Sequence, residues 1–162
     1  MKPPTVAIVG YSDSGKTRVA TALIRLLVAK GYRIAAVKHA SHGHMVDRPG
    51  TDSERLLQAG AATVILSSPG QKTSIEMREE DNPLEQIVSS LDSDYDLVIV
   101  EGFKNSSAPK VLVTGVEALS SLPQGLVAVV SDQEKVEGIP NYAFQDMESL
   151  AKLIEVQIMH GR

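Results

Sequence analysis

The chain is 162 residues long, with 43% hydrophobic and 22% charged residues, a formal net charge of −4 and no cysteine. That length predicts a single domain, residues 1–162, able to bury a core without covalent staples. The acidic balance argues against a general polyanion surface and so against nonspecific nucleic-acid binding, and the missing thiols exclude disulfides and thiolate metal sites. No apolar run approaches a membrane span, and the opening Met1–Thr5 holds two prolines and no signal-peptide apolar region, so the expected location is the cytoplasm and no membrane partner is expected.

Val6–Val9, flanked by Thr5 and ended by Gly10, predicts a short buried strand. Val19, Leu23, Leu26 and Leu27 recur at helical spacing and predict a helix over Lys16–Lys30, closed by Gly31. Arg33–Lys38 predicts a second strand. His39 to Thr51, polar and broken by Gly43, Pro49 and Gly50, predicts a long loop. Thr51 or Asp52 can cap a short helix running to Gln58, stopped by Gly60. Thr63–Ser67 predicts a third strand, and Thr73–Arg78 a fourth after the Pro69-Gly70 turn. Leu84–Leu91 reads as helix, Leu97–Val100 as the most apolar strand, Lys110–Thr114 and Val127–Ser131 as two more strands, and Asp146–His160 as a final amphipathic helix. Strands alternating with helices predict an α/β fold: a mostly parallel sheet with helices on both faces. Ligands of such sheets bind at the carboxyl ends of the strands.

The first strand is followed by GYSDSGKT, which fits G-x-x-x-x-G-K-[ST], the phosphate-loop (Walker A) pattern. Gly10 and Gly15 allow backbone angles that let successive amides converge on an anion at the start of a helix. Lys16 reaches the β- and γ-phosphates, and the Thr17 hydroxyl joins the shell of a Mg²⁺ ion. Gly10, Tyr11, Ser12, Asp13, Ser14, Gly15, Lys16, Thr17 and Arg18 are the expected nucleotide-contacting set. Asp13 carries a charge of the wrong sign for a phosphate cradle. It is tolerated if its carboxylate points outward, as a turn-former, or faces a partner subunit across the nucleotide.

Lys38 ends the second strand, and His39, His42 and His44 follow beside Asp47. These imidazoles could bind a transition metal, contact substrate or stay solvated. Asp47 could reach Mg²⁺ or its waters, or serve as a turn residue. Glu101 leaves the central apolar strand where a carboxylate can anchor Mg²⁺, usually through water, or simply reach solvent. Phe103 is expected in the core. Asp132 follows the Val127–Ser131 strand, where a carboxylate can accept hydrogen bonds from guanine N1–H and N2–H; the NKxD signature is absent, and a turn role is equally open.

GYSDSGKT, KHASHGH, VDRPGTDSERLLQAGA and VIVEGFK, in this order, resemble the molybdopterin-guanine dinucleotide biosynthesis adaptor protein B (MobB) family across residues 4 to about 132. Gly10, Ser14, Gly15, Lys16 and Thr17 match its phosphate loop. Lys38, His39 and His42 match its KH-x-x-H stretch, Asp47, Gly50, Asp52 and Ser53 its D-x-P-G-x-D-S stretch, and Glu101, Gly102 and Lys104 its EGFK stretch. The resemblance implies a P-loop fold with a small β extension for dimer contact, to which Thr73–Arg78 could contribute. It also implies a homodimeric GTP-binding protein with weak GTPase activity. Such a protein assists the guanylyltransferase that joins GMP to molybdopterin. Arg18 departs from the threonine of many relatives and could touch the α-phosphate, meet a partner or offset Asp13.

The expected cofactors are GTP and Mg²⁺, with Lys16, Asp47 and Glu101 as the residues of slow hydrolysis and Thr17, Asp47 and Glu101 as the metal set. No water-orienting glutamine or internal arginine finger can be assigned, so hydrolysis is expected to be slow. Lys38, His39, His42 and Arg48 could meet a pterin phosphate. Two other classes compete: a small-molecule kinase, for which no arginine-bearing lid is visible, and a partitioning or metallochaperone ATPase, for which Tyr11 and Ser12 stand where a second lysine is common.

Overall fold

The computed structural model describes residues 2–40, 43, 49–78, 80–114, 121–133 and 135–161. The chain divides into two compact units, one of Met1–His39 and Pro83–Arg162, the other of Ala40–Asn82. Among the described residues no helix is long and apolar enough to cross a membrane.

The larger unit is built on a six-stranded sheet. Its strands are β1 (Thr5–Val9), β2 (Ile34–Lys38), β5 (Leu97–Glu101), β6 (Lys110–Val113), β7 (Leu126–Val130) and β8 (Asn141–Tyr142), in the spatial order β2-β5-β1-β6-β7-β8. Every pairing is parallel. β1 and β5 lie inside the sheet, which is why AIV and LVIV are apolar without alternation: Val6 to Ile8 and Leu97 to Val100 are 0–1% exposed.

Helices α1 (Lys16–Ala29) and α4 (Met147–Ile154) cover one face, where Val19, Leu23, Leu27, Leu150 and Ile154 pack on Val6, Ile8, Leu97 and Ile99. The shorter α3 (Leu84–Ser89) covers the other, setting Leu84 and Val88 against Ala7, Val9, Val98 and Leu112. Fully burying one such side chain contributes about 1.5–3 kcal/mol. The two faces thus have separate apolar cores, and residues at the β1 edge belong to one or the other by parity.

In the smaller unit, α2 (Asp52–Gln58) is capped by Thr51, whose hydroxyl accepts the Glu54 amide at 3.4 Å. Asp52 sits in the first turn, with Arg55 3.6 Å away. Strands β3 (Thr63–Ser68) and β4 (Gln71–Glu76) form an antiparallel ribbon apart from the main sheet. Gly70 takes φ 78°, as the Pro69-Gly70 turn requires. Because the turn uses only two residues, pairing starts at once at Gln71, two residues before the expected Thr73.

Three features depart from the sequence expectation. β8 was not expected; it is two residues long, and Asn141 anchors it by accepting the Val136 amide and donating to the Val136 and Ile139 carbonyls. The final helix changes winding at Glu155, and Glu155–Met159 forms a π-helical turn closed by the His160 amide on the Glu155 carbonyl. The third strand leaves the main sheet and pairs with the fourth, whose residues were expected to contribute to a small β extension.

Candidate functional site

The Gly10–Thr17 loop joins β1 to α1 over the carboxyl edge of the sheet. Gly10 lies against β6: a Cβ there would stand 2.1 Å from the Val113 carbonyl oxygen and 2.8 Å from Ser14 Oγ. Gly15 takes φ 97° and passes under the Phe144 ring, where a Cβ would meet carbon at 2.8 Å. Both positions therefore demand glycine for space as well as for angle. Asp13 is exposed with φ 58°. The Ser12 hydroxyl reaches its carboxylate at 3.5 Å.

No side chain caps α1, and its first turn holds no acidic residue, so its amides keep their positive end. Ser14 Oγ is buried inside the loop with no hydrogen-bond partner. Lys16 Nζ donates to the Tyr11 carbonyl across the loop.

Glu101 stands in register with Ile8 of β1 and Lys38 of β2, and Ile8 faces α1. Its carboxylate is therefore on the helix side of the sheet. Oε2 accepts the Thr17 hydroxyl at 2.8 Å, and Oε1 lies 3.2 Å from Lys38 Nζ. Phe103 has φ 52°, a left-handed angle costly for a bulky residue, and packs partly into the second core with its ring 4.5 Å from that of His39.

Asp132, at the end of β7, accepts the Phe144 amide at 3.0 Å. The Phe144 ring in turn lies under the Arg18 guanidinium, 4.8 Å from its carbon. Asp132, Phe144, Arg18 and Gly15 thus form one group beside the loop. Phe144 was absent from the sequence reading; its one signal, an aromatic just after a two-residue strand, is too weak to find alone. His42, His44, Asp47 and Arg48 lie outside the described residues.

The donor set fits Mg²⁺. Cis ligands of an octahedral ion with bonds of 2.0–2.1 Å stand about 2.9 Å apart, close to the Thr17–Glu101 spacing. The unpartnered Ser14 hydroxyl and the uncapped amides likewise fit an anion.

A parallel sheet with this glycine loop between its inner strand and first helix, and a strand-end carboxylate on the threonine of that loop, defines a P-loop α/β protein. The family model described as "Molybdopterin guanine dinucleotide synthesis protein B" matches residues 5–132. The molybdopterin-guanine dinucleotide biosynthesis adapter protein of Haemophilus influenzae is 36% identical over 122 residues, covering 75% of this chain and 68% of that one. Its Escherichia coli counterpart is 31% identical over 165 residues, covering 90% and 94%. A crystal structure of molybdopterin-guanine biosynthesis protein B superposes with a TM-score of 0.75 at 30% identity, over 94% of this chain and 98% of the other. The chain belongs to the MobB family.

Proposed function

We propose that this chain is a GTP-binding adaptor, a homodimer that assists a guanylyltransferase in attaching GMP to molybdopterin and hydrolyses GTP slowly. The Thr17–Glu101 contact at the mouth of the glycine loop carries the nucleotide part of this reading. A hydroxyl and a carboxylate at that spacing, beside a lysine and uncapped amides, suit a triphosphate with its metal.

The loop amides and Lys16 would hold the β- and γ-phosphates and stabilise charge on them. Thr17 and Glu101, with Asp47 as a third candidate, would hold Mg²⁺, which supplies charge neutralisation on the phosphate oxygens. Lys38 orients Glu101 by pairing with its other oxygen. Asp132 would accept the guanine N1–H and N2–H in exchange for its bond to the Phe144 amide.

The adaptor part is supported by the names of the relatives. The dimer is supported by the β3–β4 unit, where Ile65, Leu66 and Met77 are exposed on or beside a two-stranded ribbon with open edges. A panel of nucleotides with phosphate-release and acceptor-phosphorylation assays tests the reading. It predicts Mg²⁺-dependent binding of GTP above ATP, with slow release of phosphate. Robust phosphate transfer to a metabolite would reject it in favour of a kinase.

A further inference from the structure

The face of the sheet opposite α1 carries a second feature at the same edge. A cavity of about 490 Å³ opens there between Gly10-Tyr11 and the segment after β5. Its inner wall is Val9 and Leu112, which belong to the core under α3 and not to the core under α1. The positive end of α1 and the Thr17–Glu101 pair lie on the other side of β1. The cavity is therefore on the opposite face of β1 from the Thr17–Glu101 pair, and Gly10 and Tyr11 are the residues of the glycine loop that line it. Its volume falls in the range of small-molecule sites, about 300–1,000 Å³.

The lining chemistry is specific. Lys104 and Lys110 both contribute, and among the described residues the lining contains no aspartate or glutamate. Lys110 is 2% exposed, an unusual state for lysine. Its ammonium donates to the Ser106 carbonyl at 2.6 Å and the Ala108 carbonyl at 2.9 Å, which uses two of its three hydrogens. The buried Ser106 hydroxyl, also in the lining, has no hydrogen-bond partner. A buried donor left without a partner costs stability unless something else meets it. Asn105 and Gln124 add amides that both donate and accept, and Pro123 adds an apolar surface.

We propose that this cavity is a binding site for a flat heterocycle carrying one phosphomonoester, the phosphate meeting Lys104, Lys110 and the Ser106 hydroxyl and the ring lying against Val9, Leu112 and Pro123. Two ammonium groups beside an unpartnered hydroxyl favour an anion. The amides suit the hydrogen-bonding edge of a ring, and the volume suits one or two rings. The site does not depend on nucleotide at the loop; only the choice of a pterin as probe rests on the adaptor reading. A ligand here would touch Gly10-Tyr11 from behind, so the loop would sense both sites.

The test is a fluorescence titration of the full chain with 6-hydroxymethylpterin monophosphate, its dephosphorylated form and inorganic phosphate, with and without saturating GTP and Mg²⁺. The proposal predicts saturable one-to-one binding of the phosphorylated pterin that persists with GTP present. The dephosphorylated pterin and inorganic phosphate should each bind at least about tenfold more weakly. Lys104→Glu should weaken the phosphorylated pterin at least about tenfold, and Lys104→Arg should restore it, at an unchanged melting temperature since Lys104 is exposed. No saturable binding, indifference to Lys104→Glu, or displacement by GTP would each overturn the site. Failure of GTP to bind would instead remove the adaptor reading while the pterin titration remained decisive.

Discussion

The two sides of β1 at its carboxyl edge offer a ligand different groups. On the α1 side the groups aimed at a ligand are main-chain amides from one contiguous loop, trimmed by a lysine and a carboxylate. On the other side they are side chains gathered from three separate stretches, with a buried lysine tied to carbonyls at the centre. The first kind of site writes itself into eight adjacent letters, because close backbone approach requires glycine at fixed places. The second leaves no pattern, because lysine and serine are read as surface residues until the fold buries them.

Substitutions can break or sharpen this contrast. Gly10→Ala should have the largest effect, because the new methyl would overlap the Val113 carbonyl oxygen. It should cost about 3 kcal/mol or more in denaturant unfolding and abolish nucleotide binding. Lys110→Met keeps the apolar stem but leaves the Ser106 and Ala108 carbonyls without their donor, and should cost about 2 kcal/mol at neutral pH.

Burial lowers the Lys110 pKa from its ordinary 10.5, so between the lowered value and 10.5 the unfolded chain binds more protons than the folded one. Wild-type stability relative to the Met variant should therefore rise with pH through that alkaline window; paired urea melts would show it. Glu101→Gln should leave the fold standing but weaken Mg²⁺-dependent nucleotide binding about tenfold, with little change when the metal is omitted.

The smallest effect belongs to a site away from both. Hydrogen bonding from Lys30 holds the Glu155 carboxyl below its ordinary 4.5. The stabilisation is present above 4.5 and is lost as pH falls through the lowered value. Glu155→Gln should cost under about 1 kcal/mol at pH 7, a gap that closes in acid.

Most of the larger unit was readable because inner parallel strands are apolar without interruption and α1 repeats its apolar residues at helical spacing. The carboxyl-edge rule then led from each strand to Lys16, Lys38, Glu101 and Asp132. What escaped depended on distance. Asn141-Tyr142 is a strand only because its backbone pairs with Val129 and Val130 of β7, and Phe144 meets Gly15 from 129 positions away. Thr63–Ser67 was legible as a strand, yet its partner choice was not: Pro69-Gly70 pairs it with its neighbour in a ribbon of its own. Nothing local distinguishes Lys110 from an exposed strand-end lysine.

The central claim is a triphosphate held by the amides of the first helix and the Lys16 ammonium. Calorimetric titration of wild type and Lys16→Ala with a non-hydrolysable GTP analogue and Mg²⁺ tests it most directly. The account predicts saturable uptake by wild type and a loss of about a hundredfold or more in the variant, with the fold retained by circular dichroism. Equal affinities, or no heat from wild type with any purine triphosphate, would contradict it.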